Sequence, residues 1–325
     1  MQSFEDHLEK LGLTNAPVVH KFGGSTASNI KPGVDYLRRE MDLKPTAAVL
    51  SAFRIGNLQM TTQLLAMSEQ LDIGKIEEVE CLIETMRDQM QMLLGQGGPV
   101  SNPFIRFQML LQRIRMGETH WVDENDCDRK LWFSDTSCSI PCIGEHGSVL
   151  EYEKRLNEIE THSGDNEQQC AAAFPIDEYE HAIRSLPETD QQEFTYDLLC
   201  EFLQQSNRDK MLSLIPGYLP HNATDRGYSD VTAVDASLAM RTVTGKQTVC
   251  SVDKEFPVYP KNPDNGHDAS PLDRLSYAEA HAACDIDGFA PGVVHPRAIK
   301  RAEQHGIPIL VHNPFDPGLG ATLIQ

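Results

Sequence analysis

The sequence is short of positive charge. Lysine and arginine together number 28 against 48 aspartates and glutamates, a formal charge of -20 over 325 residues. A field of that sign repels nucleic acid and anionic membrane, so neither is expected as a partner. It also repels nucleoside phosphates, and a site for one must gather its few cations locally. Long apolar stretches are lacking as well, with no run approaching the roughly 18 residues of a membrane span. The opening segment, Met1-Gln2-Ser3-Phe4-Glu5-Asp6-His7, is acidic and without the apolar core of a secretory signal, so the expected location is cytoplasmic. Low-complexity tracts and internal repeats are absent, and 40% apolar with 23% charged residues is a globular composition. The eight cysteines are then expected as free thiols. Cys138, Cys142 and His146 are spaced to share a helix face and touch a metal, but Pro141 and Gly144 interrupt that stretch, and no metal ligand set is expected.

Periodicity predicts alternating strands and helices. A short helix is expected over Ser3 to Leu13, and strands over Pro17 to Phe22 and Thr46 to Phe53. Helices are expected over Leu58 to Leu71, Ile76 to Leu94, Phe104 to Met116 and Gly144 to Glu160. Cys170 to Ile176 and Met211 to Tyr218 are strand candidates around a helix from Asp190 to Gln205. The last third holds strands at Thr248 to Val252 and Ile307 to Val311, with helices at Tyr277 to Asp285 and Pro296 to Gln304. Alternation of this kind predicts an α/β fold with a mostly parallel sheet. No domain boundary is evident.

Four phrases carry chemistry. Lys21-Phe22-Gly23-Gly24-Ser25-Thr26 places a lysine at a strand end before two glycines and a helix start, which Ser25 or Thr26 can cap. Backbone amides there can cradle phosphate oxygens; the alternative is a turn requiring positive φ. The phrase is not a Walker loop. Asp225-Arg226-Gly227-Tyr228-Ser229-Asp230 can grip a zwitterion, arginine on its carboxylate and aspartate on its ammonium, or be a capping box with a surface ion pair. Gly144-Glu145-His146 could present a carboxylate to an ammonium, though glutamate in a first turn is ordinary. The C-terminal run carries Ser251-Val252-Asp253-Lys254, Val258-Tyr259-Pro260-Lys261, Ser276-Tyr277-Ala278-Glu279-Ala280, Val294-His295-Pro296-Arg297, Gly306-Ile307-Pro308-Ile309 and Gly320-Ala321-Thr322-Leu323-Ile324.

Taken in order, these phrases and Val49-Leu50-Ser51-Ala52 resemble the aspartokinases of the amino-acid kinase superfamily, closest in wording to the ectoine-pathway group. The resemblance runs from about residue 17 to 325, after a lead segment of residues 1–16. It implies a three-layer α/β/α sandwich, carbamate kinase-like, whose N-terminal half takes an amino acid and whose C-terminal half takes ATP. It further implies Mg²⁺, a homodimer, and phosphorylation of the L-aspartate side chain to 4-phospho-L-aspartate. Lys21 and Asp230 would be catalytic. Ser51, Thr62, Glu145, Arg226 and Ser229 would bind substrate. Gly23, Gly24, Ser25, Asp253, Tyr259 and Lys261 would bind nucleotide. No ACT regulatory domain is expected after Ile324. Where the family carries two phosphate-contacting cations this chain has Gly292 and Asp264, and Lys254 or Lys261 could replace them. Tyr228 stands where the family has glycine. Two other readings stay open: a kinase for a different amino-acid carboxylate, and a pseudokinase that binds without turnover.

Overall fold

The computed structural model describes residues 4–10, 12–55, 58–59, 63, 76–94, 145, 147–158, 169–183, 186–219, 228–255, 257–258, 271–284 and 294–325. Five-residue strands fully buried along their length imply cover on both faces, as in parallel sheets. β1 (Val18–Phe22) is such a strand and forms the hub. It runs parallel to β2 (Thr46–Leu50) on one side and to β7 (Val249–Asp253) on the other. β6 (Leu212–Pro216) and β5 (Ala171–Ala173) extend the first flank. β9 (Ile309–His312), β10 (Ala321–Ile324) and β8 (Arg274–Leu275) extend the second. The eight-stranded order is β5-β6-β2-β1-β7-β9-β10-β8, with the β9–β10 pair alone antiparallel. The expected mostly parallel sheet is present.

Alternate residues of each strand feed opposite layers. Val19, Ala47, Val49, Ile215 and Val311 pack with residues of α7 (Glu188–Asp209), α8 (Tyr228–Thr244), α9 (Tyr277–Cys284) and α10 (Pro296–His305). Phe22, Ala48, Leu50, Leu212 and Leu214 pack with α3 (Ile30–Leu43), α4 (Ile76–Leu94) and the helix over 147–158, here α5. The result is an α/β/α sandwich. Helix α1 (Phe4–Lys10) packs on the central strands, inserting Phe4 and Leu8 beside Val18, Val249 and Leu310. Met86 is buried in the α4 layer. No helix among the described residues is long and apolar enough to cross a membrane.

Several expectations need correction. The strand from Thr46 stops at Leu50: Ser51 makes the last bond to β1, its N–H donating to the Phe22 carbonyl, and the chain then turns so that Ala52 and Arg54 lie against Gly24. Leu58 does not begin a helix: Leu58–Gln59 (β4) pairs antiparallel with Arg54–Ile55 (β3), and the intervening Gly56-Asn57 is a hairpin dipeptide in sequence. The stretch 104–116 lies outside the described residues, as do Cys138, Cys142 and His146. Two helices went unpredicted, α3 and α6 (Ile176–Ile183). In α3 the pair Pro32-Gly33 reads as a breaker, yet proline sits in the first turn, where its missing N–H is not needed. Gly33 makes room there for the Tyr152 hydroxyl, only 2.2 Å from where a Cβ would lie.

Candidate active site

The carboxyl end of β1 carries Lys21, buried, with its Nζ 3.0 Å from Asp230 Oδ1. Asp230 lies in the first turn of α8, where the helix dipole favours a carboxylate. Its other oxygen accepts the His295 N–H at 3.0 Å and has Lys254 Nζ at 3.8 Å. Burial would raise the Asp230 carboxyl, but Lys21, Lys254 and the His295 amide together hold it well below the usual carboxylate range. Burial would likewise lower the Lys21 ammonium. Asp230, then Asp253 and Glu145, overcome this and keep it raised and charged.

Asp253, at the end of β7, accepts the Gly23 N–H at 2.6 Å. This revises two expectations. Gly23 has φ -70, and neither glycine of the phrase has a positive φ, so backbone freedom is not their reason. They are small because space is short: a Cβ on Gly24 would lie 2.9 Å from the Ala52 carbonyl oxygen, and one on Gly23 would lie 3.3 Å from Lys21 Nζ. The Gly23 amide is also committed to Asp253 and is not a free phosphate donor. Helix α2 (Gly24–Ser28) therefore starts directly after it, with Gly23 at the cap position and Ser25 and Thr26 inside the helix.

On the other flank stands Glu145, wholly buried, accepting from the Ala52 N–H at 3.4 Å and the Tyr218 N–H at 2.5 Å. Burial pushes its carboxyl up to about 8, against those amides and the charge of Lys21. Ser51 Oγ donates to Ser229 Oγ at 3.1 Å, joining the end of β2 to the start of α8. Gly217, just past β6, is the residue around which this flank closes. A Cβ there would lie 2.5 Å from Ser229 Cβ and 2.8 Å from Glu145 Oε2. Its carbonyl accepts the Thr232 hydroxyl.

Of the residues singled out from sequence, Lys21, Gly23, Gly24, Ser51, Glu145, Ser229, Asp230 and Asp253 meet around the ends of β1, β2, β6 and β7. Ser25 is exposed on α2 and accepts from Arg54 Nη1 at 3.1 Å. Thr62, Arg226, Tyr259 and Lys261 lie outside the described residues, as do Gly292 and Asp264. Tyr228 opens α8 beside Tyr218, with ring centroids 6.2 Å apart. His295 is a capping residue, its Nδ1 accepting the Arg297 N–H at 3.3 Å while its own amide serves Asp230. Sequence reasoning missed Gly217 and Arg54. The first had a faint signal, a glycine directly after a buried strand.

The arrangement is a buried ammonium between two aspartates, on the seam where strands from the two halves of the chain meet. Crevices at the carboxyl ends of strands, at such a switch point, are where open α/β sheets bind ligands.

No family model matches the chain. Among solved structures it is similar to Escherichia coli aspartokinase III in complex with aspartate and ADP, at 19% identity and TM-score 0.59 over 94% of this chain and 64% of that one. It is also similar to the aspartate kinase of Clostridium acetobutylicum, at 18% identity and TM-score 0.57, covering 95% and 62% of the two chains. The Synechocystis aspartate kinase gives 17% identity and TM-score 0.51, covering 95% and 39%. The chain thus spans less than two thirds of each of these proteins, and at such identities the likeness establishes the fold.

Proposed function

We propose, from the amino-acid kinase fold of this chain and the Lys21–Asp230 pair at its central seam, that it transfers the γ-phosphoryl group of ATP to a carboxylate of an amino acid. L-Aspartate, giving 4-phospho-L-aspartate, is the first candidate. The observation that carries the reading is a buried lysine kept charged by Asp230, 3.0 Å away, and by Asp253 beyond it.

A side-chain carboxylate with a pKa of about 3.9 is already ionised at neutral pH, so the acceptor needs no general base. Catalysis is then positioning and charge stabilisation during in-line transfer. In this reading Lys21 faces the transferring phosphoryl group. At about 4 Å and an effective dielectric near 20, one such charge is worth roughly 4 kcal/mol. Asp230 fixes the lysine and keeps it protonated. Glu145 takes the substrate ammonium, and Ser51, Ser229 and Arg226 take its α-carboxylate. ATP lies on the β7 side, towards Asp253.

Phosphoryl transfer of this class uses Mg²⁺, which binds through one or two carboxylates together with substrate phosphates. Asp230 is taken by two lysines and an amide, which leaves Asp253 as the carboxylate suited to hold the ion. No group of three acidic, histidine or cysteine side chains gathers for it among the described residues, so the nucleotide would carry most of its coordination. The ion would neutralise phosphate charge in a protein whose overall charge is -20.

The test is hydroxamate trapping of acyl phosphate with ATP and each amino acid in turn. Product with aspartate is expected. Product only with another acid would move the substrate, and ATP binding without any trapped product would refute the transfer.

A further inference from the structure

We propose that Lys254 is a second phosphate-binding cation, resting on Asp230 until a nucleoside triphosphate takes it. The inference rests on the kinase reading above and adds a residue and a hand-over to it.

Lys254 follows β7 directly, and its backbone is fixed. Its N–H donates to the His312 carbonyl at 3.0 Å, while the preceding Asp253 is tied to Gly23. Its side chain is the partly exposed part. The two lysines on Asp230 differ in every respect that bears on exchange. Lys21 is 8% exposed and sits 3.0 Å from Oδ1, within hydrogen-bond distance. Lys254 is 26% exposed and stands 3.8 Å from Oδ2, beyond it, and that oxygen already has the His295 N–H at 3.0 Å. Asp230 therefore loses no hydrogen bond when Lys254 leaves. A lysine on a flexible four-carbon stem, anchored at its backbone and held at its tip among the described residues by a 3.8 Å ion pair, can swing to a stronger anion. A triphosphate is such an anion, and in a strongly acidic protein it needs more than the one buried ammonium.

The test measures competition of ATP, ADP and adenosine against a fluorescent ADP analogue in wild type, Lys254→Met and Lys254→Arg. Methionine keeps the stem and removes the charge. Loss of one charge-assisted contact should weaken ATP and ADP by roughly tenfold to a hundredfold and leave adenosine within about twofold. Arginine should restore most of the loss. Equal weakening of adenosine and ATP in Lys254→Met would mean a structural role and overturn the proposal, as would unchanged affinities for all three. A wild-type protein that binds ATP no better than adenosine would refute the kinase reading itself. A wild type that prefers ATP with an unchanged Lys254→Met preference would refute only Lys254.

Discussion

A methyl group added at Gly217 would sit 2.5 Å from Ser229 Cβ and 2.8 Å from Glu145 Oε2. Carbon atoms in contact prefer about 3.5–4.0 Å, so Ser229 and α8 must retreat by about 1 Å. Overpacking of that degree costs about 1–3 kcal/mol of stability. A displacement near 1 Å at reacting groups can lower turnover by about a hundredfold. Gly245 supplies the control. It follows the other end of the same helix with φ +65 and open space around its Cβ position, so alanine there strains only the backbone, by about 1–2 kcal/mol. Both variants should melt a few degrees lower, taking about 2–4 °C per kcal/mol for chains of this order of size. Gly217→Ala alone should lose about a hundredfold in kcat/KM for acyl phosphate formation, and Gly245→Ala should keep wild-type turnover. If Gly217→Ala melts lower yet turns over within about threefold of wild type, Glu145 and Ser229 do not bound the reacting centre.

Lys21→Met leaves buried Asp230 with the His295 amide and, as counter-charge among the described residues, the more distant Lys254. Turnover should fall by about a thousandfold, and stability, followed by urea unfolding, by about 3–5 kcal/mol. Adding Asp230→Asn should recover much of the stability and none of the activity. For Glu145, whose carboxyl is pushed up to about 8, a bound ammonium favours the ionised form. KM for the amino acid should therefore fall as pH rises from 6 towards 8, by up to about tenfold per unit, and level off above; a flat KM removes Glu145 from the substrate pocket. Burial, aided by neighbouring His20, lowers His312 to about 3. In the unfolded chain it takes a proton near about 6.5, so its contribution is complete above that pH and is lost as pH falls towards 3, by up to about 1.4 kcal/mol per unit. Melting temperature measured between pH 7 and 4.5 should fall less steeply in His312→Gln.

The sheet and its hub were legible because short segments rich in β-branched and apolar residues, such as Val18-Val19 and Ala47-Ala48-Val49-Leu50, mark strands buried on both faces. Lys21 and Asp230 stood out because charged residues at the ends of such elements are conspicuous. The meaning of Gly23 and Gly24 was only half legible. A glycine is required either by its φ or by a neighbour that leaves no room, and the neighbour of Gly24, the Ala52 carbonyl, comes from the turn that follows β2. Gly217 was missed for the same reason, since Glu145 and Ser229 crowd it from remote parts of the chain. Leu58 was misassigned because apolar spacing at three and four outweighed the Gly56-Asn57 turn signal, and a strand of two residues is too short to show alternation.

The central position of β1 has a consequence for the order in which the molecule can be assembled. One neighbour, β2, is made soon after it, but the other, β7, brings Ser251 to His20 across 231 residues. Closing so wide a loop is slow. A nascent chain can hold Lys21 in a half-sheet long before Asp253 arrives to fix Gly23. Chemical competence is thus a late event of synthesis, reached only once the C-terminal strands have docked along the free edge of β1.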